Sequence, residues 1–498
     1  MNSARRWITV LLTVWMVGNS RLSEAKPSKE AGGGVLQDSL VELEVNRKIY
    51  DFQMPWNKSS GNVRKSGLVL GGAEIVTTAD GLSDQTLIRV QRGGRGAWSE
   101  AQLTWIDYHA NLAVVTLKDA AFLKGTRPIE WASKLATGDE YQIHRWRSGN
   151  LEVRKAELNQ FVITEAKLSF ITPAQMEISS DISGVGWGEP VVSGGKVAGL
   201  VTSQNRNLGL ATPAPFIRSI LDARKKGTYH GLGYFDFVWQ PTENPAIHRY
   251  LGVTGEPKGV VVIEGSKELG QTNLIKPKDI ILQVDGFEID TQGNYMDPMY
   301  GHLLLENLAT RNRWAGDEVK IRVWRDGQAL DVSYRLPRAD FEKHLLPENS
   351  FDSEPEYLIM GGLVFQPLNG QFLRSWGDDW KRRAPFRLVY YNNEPATPSR
   401  PGLVVLSNVL PDIYNLGYQD TRLLVIDSVN GRKISRLTDL AKALNEPKDG
   451  FHSIDYMQGD SLRRMVLDAT TAARATRRVL ETYGIEEDRV IRDPAKDK

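Results

Sequence analysis

Short runs of apolar and polar positions, broken by glycine, asparagine and aspartate, fill the chain from about Asp38 to Arg224. "GLVLGG", "EIVTTAD", "QTLIRVQR", "AQLTWIDY" and "LAVVTLKD" each read as a strand of four to eight residues, with almost no helical periodicity between them. Many short strands at close spacing predict a β-barrel or sandwich rather than a parallel α/β sheet. Next, "PAPFIRSILDARKKG" places Phe216, Ile217, Ile220 and Leu221 at helical spacing and ends on Gly227. Two similar modules follow. One contains "GLGYFDF", "GVVVIEG", "LIKPKDIILQVDGFEI", a stretch near "MYGHLLLENLA" that reads as helical, and "AGDEVKIRVWRDGQ". The other contains "GGLVFQPL", "GLVVLSNV", "DTRLLVIDSVNGRKI" and a helical "RLTDLAKALNE". This is an internal duplication of roughly 110 residues, the size of an independent domain.

At 498 residues the chain is long enough for about three domains. Its 62 Lys and Arg nearly balance 61 Asp and Glu, with no long basic run, which argues against an obligate nucleic-acid partner. The absence of cysteine excludes disulfides, thiolate metal sites and a cysteine nucleophile. No HExxH or paired-histidine motif is present, so neither a metal nor a cofactor is expected. The N-terminus has Arg5 and Arg6, an apolar run from Trp7 to Val17, and a polar segment ending Ser23-Glu24-Ala25. That is the form of a cleavable signal peptide, and the run is shorter than the roughly 20 residues a spanning helix needs. The expected location is therefore secreted or periplasmic, with no stable membrane span.

Several motifs, in order, carry a resemblance. "SGLVLGGAEIVTTADGL", "IDYHANLAVVTL", "GEPVVSGGKVAGLVT" and "LGLATPAPFIRSIL" resemble the ordered barrel motifs of the HtrA/Deg family, closest to its large plant proteases. The resemblance implies a mainly β protein: a trypsin-like double β-barrel followed by two PDZ-like α/β domains. The implied divisions are 1–25 signal peptide, 26–37 flexible leader, 38–226 protease-like domain and 229–338 first PDZ domain. A linker over 339–356, a second PDZ-like domain over 357–468 and a C-terminal helix with charged tail over 469–498 complete them.

Carried over by position, the family's catalytic triad falls on Asp80, Asn111 and Trp187. The chemistry needs a hydroxyl to attack, an imidazole to take its proton and a carboxylate to orient that imidazole. None of the three positions has its group, so no catalytic residue is expected. Val185 also replaces the glycine two positions before the nucleophile. A relocated site would have to draw on Ser183, His109 and Asp107; His109 and His144, the only histidines of the barrel region, read as exposed turn residues.

The peptide-binding apparatus implied by the resemblance is retained. Gly231-Leu232-Gly233-Tyr234 resembles the PDZ carboxylate loop, followed by a strand from Tyr234 to Phe237 that accepts a peptide. Lys278 departs from the family's glycine at the downstream turn. Gly361, Gly362, Leu363 and Val364 form the second, less clearly matched loop, whose groove is either closed or used for self-association. The expected partners are peptide or unfolded-protein C-termini. A homo-oligomer, a trimer by resemblance, is also expected, with Phe52, Met54 and Trp56 as contact residues. The expected function is an exported pseudo-protease scaffold. The alternatives are an active serine endopeptidase with a rearranged site and an envelope chaperone or assembly factor.

Overall fold

The computed structural model describes residues 34–266, 274–377, 379–457 and 464–492. The expected signal peptide, most of the leader and the end of the charged tail lie outside the described residues. After α1 (Gly34–Gln37), the first six strands are β1 (Leu40–Tyr50), β2 (Lys58–Gly71), β3 (Glu74–Thr77), β4 (Gln85–Arg92), β5 (Trp98–Asp107) and β6 (Leu112–Leu117). They close into one barrel in the order β1-β2-β3-β6-β5-β4. The next six are β7 (Tyr141–Arg147), β8 (Asn150–Ile163), β9 (Ala174–Ser180), β10 (Pro190–Ser193), β11 (Lys196–Asn205) and β12 (Leu208–Pro213). They close into a second barrel, so the double barrel expected from the sequence is the observed fold. Helix α2 (Ala214–Lys226) buries Ile217, Ile220 and Leu221 and stops at Gly227, whose left-handed φ of 70° a side chain would resist.

The first C-terminal module contains β13 (Val238–Gln240), α3 (Pro245–Tyr250), β14 (Val260–Glu264), β15 (Ile280–Val284), β16 (Phe287–Glu288), β17 (Asn294–Asp297), β18 (Gly301–Leu304), β19 (Glu318–Arg325) and β20 (Gln328–Arg335). Its main sheet runs β13-β14-β15-β19-β20. Alternate residues of β19 are buried, as one covered sheet face requires. The stretch near "MYGHLLLENLA" is not the expected helix but the β17–β18 hairpin and a 3-10 turn over Leu305–Ala309. Asp297 causes this, because its Oδ1 accepts the amides of Met299 (2.8 Å) and Tyr300 (3.1 Å) and competes with helical bonding. The core of this module is continuous with that of the second barrel.

The second module contains β21 (Tyr357–Met360), β22 (Leu363–Pro367), α4 (Gly370–Arg374), α5 (Trp380–Arg383), α6 (Phe386–Val389), β23 (Val404–Val409), β24 (Leu424–Val429), β25 (Arg432–Lys433), α7 (Leu437–Leu444), β26 (Phe451–Tyr456), β27 (Arg464–Asp468), α8 (Ala469–Tyr483) and β28 (Arg489–Val490). Its sheet order is β27-β26-β24-β23-β22-β21-β28. It docks on the first barrel. Phe52 packs into its core, the Phe52 carbonyl accepts Gln366 Nε2 (3.1 Å), and Trp56 meets Tyr357 edge-on at 6.1 Å. Two of the three residues expected at a trimer contact are thus committed within the chain, and only Met54 stands exposed. The charged segment expected as a linker is also packed. Leu345 and Leu346 are buried, Phe351 stacks on Tyr108 at 3.7 Å, and Asp352 accepts the Tyr108 hydroxyl (2.5 Å) and the Asp84 amide (2.9 Å).

Candidate active-site cleft and peptide-binding loops

The turn after β3 delivers Asp80, the turn before β6 delivers Asn111, and the segment before β10 delivers Trp187. Asn111 is buried with a left-handed φ of 51°, and its Oδ1 accepts the backbone amide of Asp80 at 2.9 Å. It therefore orients the Asp80 main chain and not an imidazole. Lys167, from the loop between β8 and β9, forms an ion pair with Asp80 Oδ2 at 2.6 Å. The same ammonium lies 4.8 Å from the Trp187 ring centre, within cation–π range. The indole also covers Gly81, where an added Cβ would stand 3.2 Å from it. The three positions converge, and Lys167 holds two of them together.

Beneath them Lys65 is buried and donates to the Thr78 carbonyl (2.6 Å), the Thr78 hydroxyl (3.0 Å) and the Asp80 carbonyl. Burial pushes its amine down to about 7, against the pull of the Asp80 and Glu189 charges. Three acceptors match the three donors of an ammonium, so Lys65 fixes the path of residues 78–80.

The amides that face a reacting carbonyl in an acyl-transfer site must be open donors. Here Gly186 N and Trp187 N both donate to Glu189 Oε2 at 2.8 Å. Val185 N donates to Gln204 Oε1 at 3.2 Å. Glu189 is 4% exposed, and burial raises its pKa, opposed by the amides of Gly186 and Trp187 and by Arg145. The turn is closed from within. The roles of Glu189, Gln204 and Lys167 were not read from the sequence, although Glu189 in a glycine position was a visible signal.

Ser183, His109 and Asp107 do not come together. Ser183 lies on the exposed rim of a cavity of about 390 Å³ shared with Trp187 and Arg145. His109 Nδ1 instead lies 2.7 Å from Ser169 Oγ, a residue the sequence reading did not single out. The ring stacks on Phe341 at 4.2 Å, and burial lowers its pKa, with Asp107 and Asp340 opposing. The Asp107 carboxylate is engaged elsewhere, accepting the Ala110 amide (2.9 Å) and the Tyr229 hydroxyl (2.7 Å). Neither barrel histidine is the exposed turn residue expected, since His109 is half-buried and His144 is 2% exposed.

In the first module Gly231 has φ 93°, and the carbonyls of Gly231 and Leu232 accept the amides of Ala315 and Ala339, each at 2.9 Å. Gly233 is bridged to Arg338, and an added Cβ would come 2.7 Å from Leu336 Cβ, which explains the glycine. Leu232 is buried, and Tyr234 meets Phe170 edge-on at 5.3 Å. The following strand starts at Val238, not at Tyr234 as expected. Among the described residues β13 pairs only with β14, which leaves its other edge open. Trp239 spans from this strand to the 3-10 turn, donating to Glu306 Oε1 at 2.9 Å.

The second loop differs. Gly361 and Gly362, at φ 57° and 89°, form the two-residue turn of a hairpin joining β21 to β22, a geometry that favours glycine. Leu363 and Val364 pair with Met360 and Ile359 on one side and with β23 on the other. The peptide edge expected at Gly361, Gly362, Leu363 and Val364 is therefore already filled by β21. Thr476 Oγ1 accepts the Gly361 amide (2.8 Å), and Asn415 Nδ2 donates to its carbonyl (2.9 Å).

Two closed barrels meeting at a cleft, followed by two further β modules, define a mainly β protein with a trypsin-like double barrel. The chain is a homologue of the HtrA/Deg proteases, with a PDZ domain at its C-terminal end. A family profile described as "PDZ_3: PDZ domain" matches residues 346–491. "Protease Do-like 2, chloroplastic" of Arabidopsis thaliana is 22% identical over 94% of this chain and 77% of its own length. "Protease Do-like 4, mitochondrial" from the same plant is 22% identical over 90% of this chain and 84% of its own length. Two further Do-like relatives from that plant are 23% and 24% identical and cover 90% and 91% of this chain. The solved structure described as "HtrA-type protease AlgW with decapeptide" matches 62% of this chain and 98% of its own, at 17% identity and TM-score 0.47.

Proposed function

We propose that this homologue is an exported, non-hydrolytic scaffold that binds peptide through its first C-terminal module. The Glu189 carboxylate on the Gly186 and Trp187 amides is the observation that carries the reading, because it turns inward the Trp187 amide that an oxyanion would need as a donor. Trp187 supplies no nucleophile, and the Asp80 carboxylate is engaged by Lys167. Peptide binding rests on Gly231, Leu232, Gly233 and Tyr234. The amides of Gly231, Leu232 and Gly233 donate to no acceptor among the described residues, as a loop that receives a carboxylate requires. The open edge of β13 then continues the recognition along the peptide backbone. The purified protein is tested with a fluorophosphonate probe and with casein. No labelling and no cleavage are expected.

The 2.7 Å contact between His109 and Ser169 favours a second reading, an endopeptidase with a rearranged site. Against it, Ser169 is 4% exposed and its oxygen already accepts the Ile171 amide (3.1 Å). Fluorophosphonate labelling abolished by Ser169→Ala would establish the second reading and overturn the first.

A further inference from the structure

We propose, on the reading that the chain is exported, that Asn57 is the acceptor of an N-linked glycan. Asn57-Lys58-Ser59 is the one place in the sequence where serine or threonine stands two residues after asparagine with no proline between. That spacing is what the oligosaccharide transferase of a secretory pathway reads, using the hydroxyl at the third position to prepare the asparagine amide. Inside a core such a tripeptide is a coincidence, but here the surroundings suit a bulky polar adduct. Strands β1 and β2 pair from Leu40↔Leu68 out to Tyr50↔Lys58, so residues 51–57 form the tip of a long hairpin. Asn57, Lys58, Ser59 and Ser60 are all exposed. Two turn bonds fix the Asn57 main chain: its amide donates to the Met54 carbonyl (2.8 Å), and its carbonyl accepts the Asp51 amide (3.2 Å). Among the described residues its side-chain nitrogen donates only to the Met54 sulfur, at 3.7 Å. Modification therefore costs no strong hydrogen bond.

In the transfer, Nδ2 of Asn57 bonds to the anomeric carbon of an oligosaccharide carried on a lipid diphosphate. The bond from that carbon to the phosphate oxygen breaks, the lipid diphosphate leaves with the electron pair, and the amide gives up one proton. No oxidant or reductant enters. The same hairpin tip turns Phe52 and Trp56 onto the second module and leaves Met54 43% exposed. A glycan growing from a nitrogen beside the Met54 sulfur covers that residue with polar bulk. The tip then cannot serve as the trimer contact expected from the sequence.

The test is expression of the chain in a eukaryotic secretory cell line, once with its own N-terminus and once with residues 1–25 replaced by the host's secretion signal. Intact mass is read before and after peptide-N-glycosidase, in the medium and in the cell lysate. A glycosidase-sensitive mass is expected from both forms. It should be lost completely in Asn57→Gln and in Ser59→Ala, and kept in Ser59→Thr. Transfer precedes folding, so a variant that failed to fold would still report in the lysate. No glycosidase-sensitive mass behind the host signal, or one that survives Asn57→Gln, overturns the proposal. A glycan behind the host signal and none behind the native N-terminus supports Asn57 as the acceptor and overturns export instead.

Discussion

The carboxylate of Glu189 accepts the amide of Trp187 at 2.8 Å, closing from inside a turn that acyl-transfer chemistry keeps open. Restoring only the three side chains of the triad leaves this closure in place. Asp80→His with Asn111→Asp and Trp187→Ser is expected to give no measurable casein cleavage. Adding Glu189→Gly should bring cleavage to at least about 100-fold above the assay's detection limit, the usual worth of an oxyanion donor. Equal activity of the two variants would show that the carboxylate is not what blocks the site.

Lys278 occupies the position where a glycine was expected, and it adopts φ 76° while its amide bonds the Val262 carbonyl at 2.8 Å. The turn is preserved at the cost of backbone strain. Lys278→Gly should stabilise the protein by about 1 kcal/mol, because a left-handed conformation costs most residues about that much. Urea denaturation of the two proteins measures the difference directly.

His144 is held neutral by burial, its pKa lowered to about 4 from 6.5. Between those values the unfolded chain binds a proton that the folded one does not. Stability should therefore fall as pH drops from about 6.5 towards 4, by on the order of 3 kcal/mol from this residue. His109, His344 and His452 are shifted the same way by burial and add to the slope. Urea midpoints at pH 7.5 and pH 5 should differ less in His144→Phe than in the parent.

A peptide reading the Gly231–Tyr234 loop through its terminal carboxylate should lose about tenfold in affinity when amidated, roughly 1.4 kcal/mol. Calorimetric titration of the whole chain with both forms of one peptide decides this. Identical affinities would recast the open edge of β13 as a site for internal segments.

N-terminal sequencing of the processed protein should begin at or near Lys26. An intact Met1 terminus in a membrane fraction would mean that the apolar run from Trp7 to Val17 acts as an anchor instead.

Local patterns made the architecture legible. The strand read as "QTLIRVQR" is β4 residue for residue, and α2 ends where Gly227 said it would. The hairpin over residues 294–304 was misread because its apolar spacing resembles a helix, while the deciding group, Asp297, acts through the amides that follow it. At the cleft, Asp80, Asn111 and Trp187 could be placed by frame. Lys167 could not, since it lies outside the family's motifs, in the loop between β8 and β9, and no local spacing records its approach to Asp80 on the first barrel. Ser169 escaped for the same reason, 60 residues from its histidine. Likewise β21 was invisible as a filler of its own groove, because a glycine pair reads alike as a ligand loop and as a hairpin turn.

The seating of Phe52 and Trp56 on the second module joins a loop near the start of the chain to strands some three hundred positions later, the Phe52–Gln366 bond alone spanning 314. During synthesis the first barrel must therefore wait, with two aromatic rings uncovered, until almost the whole polypeptide has emerged. Contacts this distant slow folding and leave the waiting surface open to the wrong neighbours. A chain delivered across a membrane from its N-terminus meets that hazard on the far side, where the loop arrives first and its cover last.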